Sequence, residues 1–349
     1  MEKLSSNRYQ PKLYIIGNGF DLFHGVKSSY YAFRDYLKRH DKSLSYEIDT
    51  YFECENFWGD FENNLAFLSR EMVMESVDNM LDMNMSTFDE YDEDFSAAEY
   101  FSSIEMGTQP IQDLTYNLPR HFKKWIKTLH PQAGKSEAFD KLFNRGALFL
   151  NFNYTEFLET LYGVPTDNIL YIHGDRRDQK KKLIIGHGHN PNKDFADWYK
   201  RNKGEQRFHD CRRGRKGRRY RNDSLTYLTY FNKDESKGNW RNPIRYYAAD
   251  NAAVTIEGYF SDSAKKTEEI ISDNLAFFDS VKEIEEIVVV GHSLSPVDHP
   301  YFRKIIEENA TPDELHWKIS WHSDGDKDRI KMFAAMMGID EQNIEMFHL

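Results

Sequence analysis

The feature that most constrains this chain is a series of short, largely apolar runs. They are KLYII (12–16), ALFLNF (147–152), ILYIH (169–173), LIIGH (183–187), EIVVVGHSL (286–294) and LHWKISWHS (315–323). Runs of this length and apolarity suit strands covered on both faces, as in parallel sheets. Helical spacing separates them. Phe157, Leu158, Leu161 and Tyr162 fall between the second and third runs, and a helix pattern at 265–282 precedes the fifth. Pro300 is well placed in the first turn of a helix PYFRKIIEENA, and another helix is expected at 326–337. The sequence therefore predicts an α/β fold: a Rossmann-like, mostly parallel sheet with helices on both faces.

A single domain over 1–349 is expected, with two insertions and no internal repeat. From Ser28 the pattern turns helical, with Tyr30, Phe33, Tyr36 and Leu37 in register and Ser28 or Ser29 as cap. A helical insertion is read at about 50–130, where Phe57, Trp58, Phe61, Leu65 and Leu68 make an apolar stripe. Its 75–99 part is acidic and Met-rich, and Pro119–Leu129 reads as an amphipathic helix. A second, irregular and basic insertion occupies about 193–250.

Bulk charge narrows the partners. The net charge is −11, which argues against a surface that binds nucleic acid or anionic membrane throughout. Cys54 and Cys211 are the only cysteines, so neither a disulfide framework nor a cysteine zinc site is expected. The opening MEKLSSNRYQPK is no signal peptide, and no run reaches membrane-spanning length. A cytoplasmic protein without a membrane partner is expected.

Polar motifs sit at the carboxyl ends of the expected strands, where parallel sheets place ligands. In GNGFD (17–21), Gly17 and Gly19 suit a phosphate approached by backbone amides, but a tight strand-to-helix turn uses glycines equally well. Asp21 and His24 add polarity that a plain turn does not need. Asn153 in NFNYT offers a donor and an acceptor to a ribose or an amide, or it caps a helix. His173 in YIHGD can take a proton near neutral pH, unless it is a satisfied core histidine.

Two further motifs match known patterns only in part. His187 and His189 would share one face of a strand, as in metallophosphoesterases, but the opening Asp-x-His of that pattern is missing. No metal is expected. VGHSLS (290–295) resembles a lipase nucleophile elbow, yet Ser295 replaces its last glycine and Pro296 interrupts the helix. Gly291 and Ser293 are better read as a turn that hydrogen-bonds ligand hydroxyls, with Asp298 and His299 in the same loop.

One segment stands apart. RFHDCRRGRKGRRYRN (207–222) carries Arg212, Arg213, Arg215, Lys216, Arg218 and Arg219 among eight basic residues, against the single acid Asp210. It can neutralise RNA or DNA phosphates, or form a solvated loop, or meet the acidic 75–99 region.

Together these motifs resemble the AbiH family of bacterial abortive-infection proteins. The resemblance rests on YIIGNGFDLFHGVKSSYYAF (14–33), WGDFENNL (58–65), NFNYTEFLETLYGV (151–164), YIHGD, IIGHGHN (184–190) and VVVGHSLSPVDHPYF (288–302). It implies a role in phage defence. The order of motifs is also similar, at a distance, to sirtuin-like NAD-consuming domains. That likeness implies NAD as substrate, His173 as base and Asn153 as ribose or nicotinamide contact. It also implies Gly17, Asn18 and Gly19 on the pyrophosphate and Ser293 on the adenosine ribose. Thr155 stands where the sirtuin-like pattern carries an acid, and the four cysteines of the deacetylase zinc module are lacking.

The expectation is thus an effector that hydrolyses NAD at the nicotinamide–ribose bond, restrained by homo-oligomerisation or a gating partner. Two rivals stand beside it. One is a nucleic-acid-directed nuclease or RNA-binding inhibitor using 207–222, and the other is a nucleotide sensor without turnover.

Overall fold

The computed structural model describes residues 11–188 and 243–349. The basic residues from Arg207 to Arg221, and His189, lie outside them. The chain divides into two compact units. One comprises Met1–Phe33, Phe122–Ile185 and Lys265–Leu349; the other comprises Arg34–His121 and Gly186–Ala264.

The first unit holds one six-stranded sheet. Its strands are β1 (Lys12–Ile16), β2 (Leu148–Asn151), β3 (Ile169–Tyr171), β4 (Glu286–Val290), β5 (His316–Trp321) and β6 (Ile344–His348). They lie in the order β3-β2-β1-β4-β5-β6 and every neighbouring pair is parallel. Chain order reverses between β1 and β4, so the switch point of the sheet lies there. Leu13, Ile15, Leu150, Ile287, Val289 and Ile319 are fully buried, with Phe278, Tyr301, Phe302, Trp317 and Phe333 in the same core. These strands carry apolar residues on both faces because helices cover both.

The expected parallel α/β architecture is thus present, and three local expectations change. LIIGH (183–187) is no strand. Its Ile184 amide donates to the His173 carbonyl at 2.9 Å and its carbonyl accepts from the Tyr154 hydroxyl at 2.8 Å, so the segment is pinned outside any ladder. An apolar run this short does not by itself separate a strand from a buried connection. The expected helix at 265–282 is two, Thr267–Asp273 and Leu275–Asp279. The break falls at Asn274, whose side-chain amide donates to the Ile270 carbonyl at 2.7 Å. β6 adds a strand that the apolar runs do not predict. It is a half-exposed edge strand, and Glu345 interrupts its apolar signal.

The second unit is helical. Lys42–Tyr51, Arg70–Asn84 and Pro243–Asp262 are helices, and the stripe Phe57, Trp58, Phe61, Leu65 and Leu68 is buried. The Tyr259 hydroxyl donates to the Leu65 carbonyl at 2.8 Å, and Arg245 pairs with Asp78 and Asp82. Part of the acidic stretch is therefore used inside the fold. Among the described residues no helix is long and apolar enough to cross a membrane.

Candidate functional site

The turn after β1 leads directly into a short helix, Asn18–Phe23, with Gly17 as its N-cap. The Gly17 amide donates to the Val290 carbonyl at 2.9 Å and the Gly19 amide to the Gly291 carbonyl at 2.7 Å. A Cβ on Gly17 would stand 2.5 Å from the His292 Cα, and one on Gly19 would stand 2.6 Å from the Gly291 Cα. Gly291 has φ +62° and faces the same turn as closely. These glycines therefore let the loops after β1 and β4 press together backbone to backbone at the switch point. Asn18 donates to the Ser28 carbonyl at 3.0 Å, which ties the turn to the approach of the next helix.

Asn153 and Asp21 meet beside this turn. The Asn153 Nδ2 donates to the Gly17 carbonyl and to Asp21 Oδ1, each at 3.0 Å. Thr155 Oγ1 donates to Asp21 Oδ2 at 2.7 Å. Asn151 completes the knot, its Oδ1 accepting from the Asn153 backbone N–H at 3.0 Å. Asp21 is 2% exposed. Burial pushes its carboxyl up to about 7, against the opposing pull of the Thr155 hydrogen bond, the Arg176 charge and the Asn153 hydrogen bond.

A second knot lies at the ends of β3 and β4. Asp298 Oδ1 receives the Lys265 Nζ at 3.1 Å and faces His173 Nε2 at 3.6 Å. Asp298 Oδ2 faces His292 Nε2 at 3.4 Å. The Leu294 amide donates to His292 Nδ1 at 2.9 Å, so that nitrogen carries a lone pair and the ring proton sits on Nε2, toward Asp298. Burial alone would raise the Asp298 carboxyl, but the Lys265 charge and the His292 hydrogen bond outweigh it and hold the group well below the usual range. The His173 ring is lowered as well. Burial first, then the Lys265 charge, hold it well below its ordinary value, although Asp298 pulls upward. The Phe152 ring lies between the two histidines, 5.2 Å from His173 and 4.3 Å from His292.

Gly17, Gly19, Asp21, Asn153, His173 and Gly291 come together at the carboxyl edge of the sheet; Ser293 is exposed on the loop after β4. His24 belongs elsewhere. Its Nδ1 bonds the Phe20 carbonyl at 2.7 Å and its Nε2 bonds the Tyr162 hydroxyl at 2.6 Å, so it pins an aromatic core. His187 is buried and lies outside the named strands, in a lone bridge with Ala264. Among the described residues no group of three or more His, Cys, Asp or Glu side chains is arranged to hold a metal ion.

Lys265 and His292 are not among the residues that the sequence marks. His292 sits inside the VGHSLS motif and could have been found there. Lys265 carries no signal, because its carboxylate partner is 33 residues away.

The strand order and the buried polar knots at its switch point define an α/β protein of Rossmann-like topology, with a candidate ligand site at the carboxyl edge. A family model for bacteriophage abortive infection AbiH matches residues 13–321, and the chain belongs to that family. Its role is therefore in phage abortive infection. No curated protein and no solved structure matches the chain.

Proposed function

We propose that the chain acts in abortive infection by binding NAD at the carboxyl edge of the sheet and hydrolysing its nicotinamide–ribose bond. The observation that carries this reading is a buried histidine kept neutral beside an oriented asparagine at the end of neighbouring strands. A general base must be unprotonated, and the burial of His173 with the charge of Lys265 favours that form. Its Nε2 makes no hydrogen bond among the described residues, so its lone pair can take a proton from water. The water oxygen bonds to the anomeric carbon, the bond to nicotinamide breaks, and the ring leaves with the electron pair as neutral nicotinamide. The proton passes from His173 to solvent.

The same geometry supports restraint before infection. His173 is 3% exposed, and Gly19 is bonded to the loop that carries His292. Leu294 in that loop has φ 55°, a left-handed conformation that costs a non-glycine residue free energy. A gating partner or oligomer that shifts residues 291–298 would open the base to substrate. The test is nicotinamide release from NAD by the pure protein, with His173→Ala alongside. Equal release from both proteins would end the assignment.

The closed arrangement favours a second reading, a nucleotide sensor without turnover. Recovery of the protein with intact NAD or ADP-ribose, and no product on incubation, would select it. A third rests on sequence alone: the 207–222 segment binds RNA or DNA phosphates, and charge removal at Arg212, Arg213, Arg215, Lys216, Arg218 and Arg219 should then flatten the salt dependence of binding.

A further inference from the structure

We propose that Asp21 is a positioning residue that acts through Asn153, fixing its amide so that the carbonyl oxygen Oδ1 is the atom offered to a ligand. The role rests on the reading above that Asn153 meets the substrate.

An asparagine amide has two donor hydrogens and an acceptor oxygen, and its two ends are nearly isosteric. A lone Asn at a strand end could present either end. Here both hydrogens are engaged, one by the Gly17 carbonyl and one by Asp21 Oδ1. Neither partner can donate in return while Asp21 is ionised, so the amide cannot flip without setting two acceptors against Oδ1. Among the described residues Oδ1 has no hydrogen-bond partner of its own. The site therefore selects a ligand group that donates, such as a ribose hydroxyl or a carboxamide N–H, and disfavours one that only accepts.

Asp21 is itself held. Its second oxygen takes the Thr155 hydroxyl at 2.7 Å, and Thr155 is 2% exposed. The carboxylate that holds Asn153 thus comes from Asp21, in the short helix after β1, and reaches Asn153 from the side of the glycine turn. Around Asp21 the charged groups are Arg176, which favours ionisation, and Glu156, which opposes it. Arg176 is paired to Glu156, its Nε donating to Oε2 at 2.7 Å and one terminal nitrogen to Oε1 at 2.6 Å. When Asp21 takes a proton, Thr155 is the partner able to accept it, because Asn153 Nδ2 can only donate. The amide orientation then survives on a neutral hydrogen bond, which is weaker than a charge-assisted one.

The experiment follows the Asn153 side-chain amide by nuclear magnetic resonance in the full chain, assigned by loss of its signals in Asn153→Ala. In Asp21→Ala one donor loses its partner, and exchange of the amide hydrogens with water should speed up by about tenfold or more, the equivalent of one charge-assisted hydrogen bond. Asp21→Asn keeps an acceptor for Asn153 and should hold exchange within about threefold of wild type, by the same reasoning. Unchanged exchange in Asp21→Ala would overturn the proposal. NAD affinity and turnover are then read in a double-mutant cycle of Asp21→Ala with Asn153→Ala. Positioning predicts that the double variant is no worse than Asn153→Ala alone, whereas additive losses would mean that Asp21 meets the ligand itself and would also overturn it. Absence of NAD binding in the wild type would remove the proposed function, while the exchange data would still decide whether Asp21 orients Asn153.

Discussion

Asp21 and Asp298 are both buried carboxyls at the same edge of one sheet, 2% and 6% exposed, yet their protonation is pushed in opposite directions. Asp21 is surrounded by neutral donors, with its nearest cation already paired to Glu156, and burial raises it to about 7. Asp298 has the fully buried ammonium of Lys265 at 3.1 Å and is held far below its ordinary value. Depth therefore does not decide the charge of a buried carboxyl; a cation inside the same knot does. One knot is poised to change charge near neutrality. The other is a fixed ion pair beside His173, whose ring is held neutral first by burial and then by the Lys265 charge.

The sharpest way to break that contrast is Lys265→Met, which leaves Asp298 buried without its cation. A loss of about 3–5 kcal/mol is expected in denaturant unfolding, because an uncompensated buried charge is costly. Adding Asp298→Asn to Lys265→Met should recover much of that loss. A null effect of the single change would mean that Lys265 is not the counter-ion.

Next in size is the seam joining the two loops. Gly291→Ala must place a Cβ 2.5 Å from the Phe20 amide nitrogen at a positive φ. A loss of about 2–4 kcal/mol is expected from overpacking and left-handed strain together. An alanine tolerated there would show that the loops are not pressed together.

The pH dependence distinguishes the knots by sign. Asp21 has a raised folded value, so its contribution to stability is fully present below the ordinary 3.8 and is lost as pH rises through about 7. His173 and His24 have depressed values, so their contributions are present above the ordinary 6.5 and are lost as pH falls. The two trends oppose each other in the mildly acidic range. Asp21→Asn removes only the first, and the loss of stability on acidification from neutrality should steepen by on the order of 1–2 kcal/mol. Unfolding curves across that range measure it. The smallest effect is expected from Thr155→Val. It removes one of two donors to Asp21, should cost about 1 kcal/mol, and should raise the Asp21 value further.

The legible part of the molecule follows from this contrast. Strands buried on both faces announce themselves, so β1, β2 and β4 lie where the apolar runs place them. The edge strand β6 and the pinned 183–187 segment do not, because partial burial and short length blur the pattern. Asn153, His173 and Gly291 could be read because each follows a strand. What they touch could not. Lys265 meets Asp298 across two helices, and Asp21 meets Thr155 across more than a hundred residues. The glycines of GNG were legible as a requirement for close approach, but the partner is the loop after β4, a tertiary contact that the motif does not encode.

The most direct test of the account is nicotinamide release from NAD under single-turnover conditions at neutral pH, comparing wild type with His173→Gln. The account predicts release by the wild type and a fall of about a hundredfold or more in the variant, the usual worth of a general base. Equal rates, or intact NAD after prolonged incubation with the wild-type protein, would contradict it.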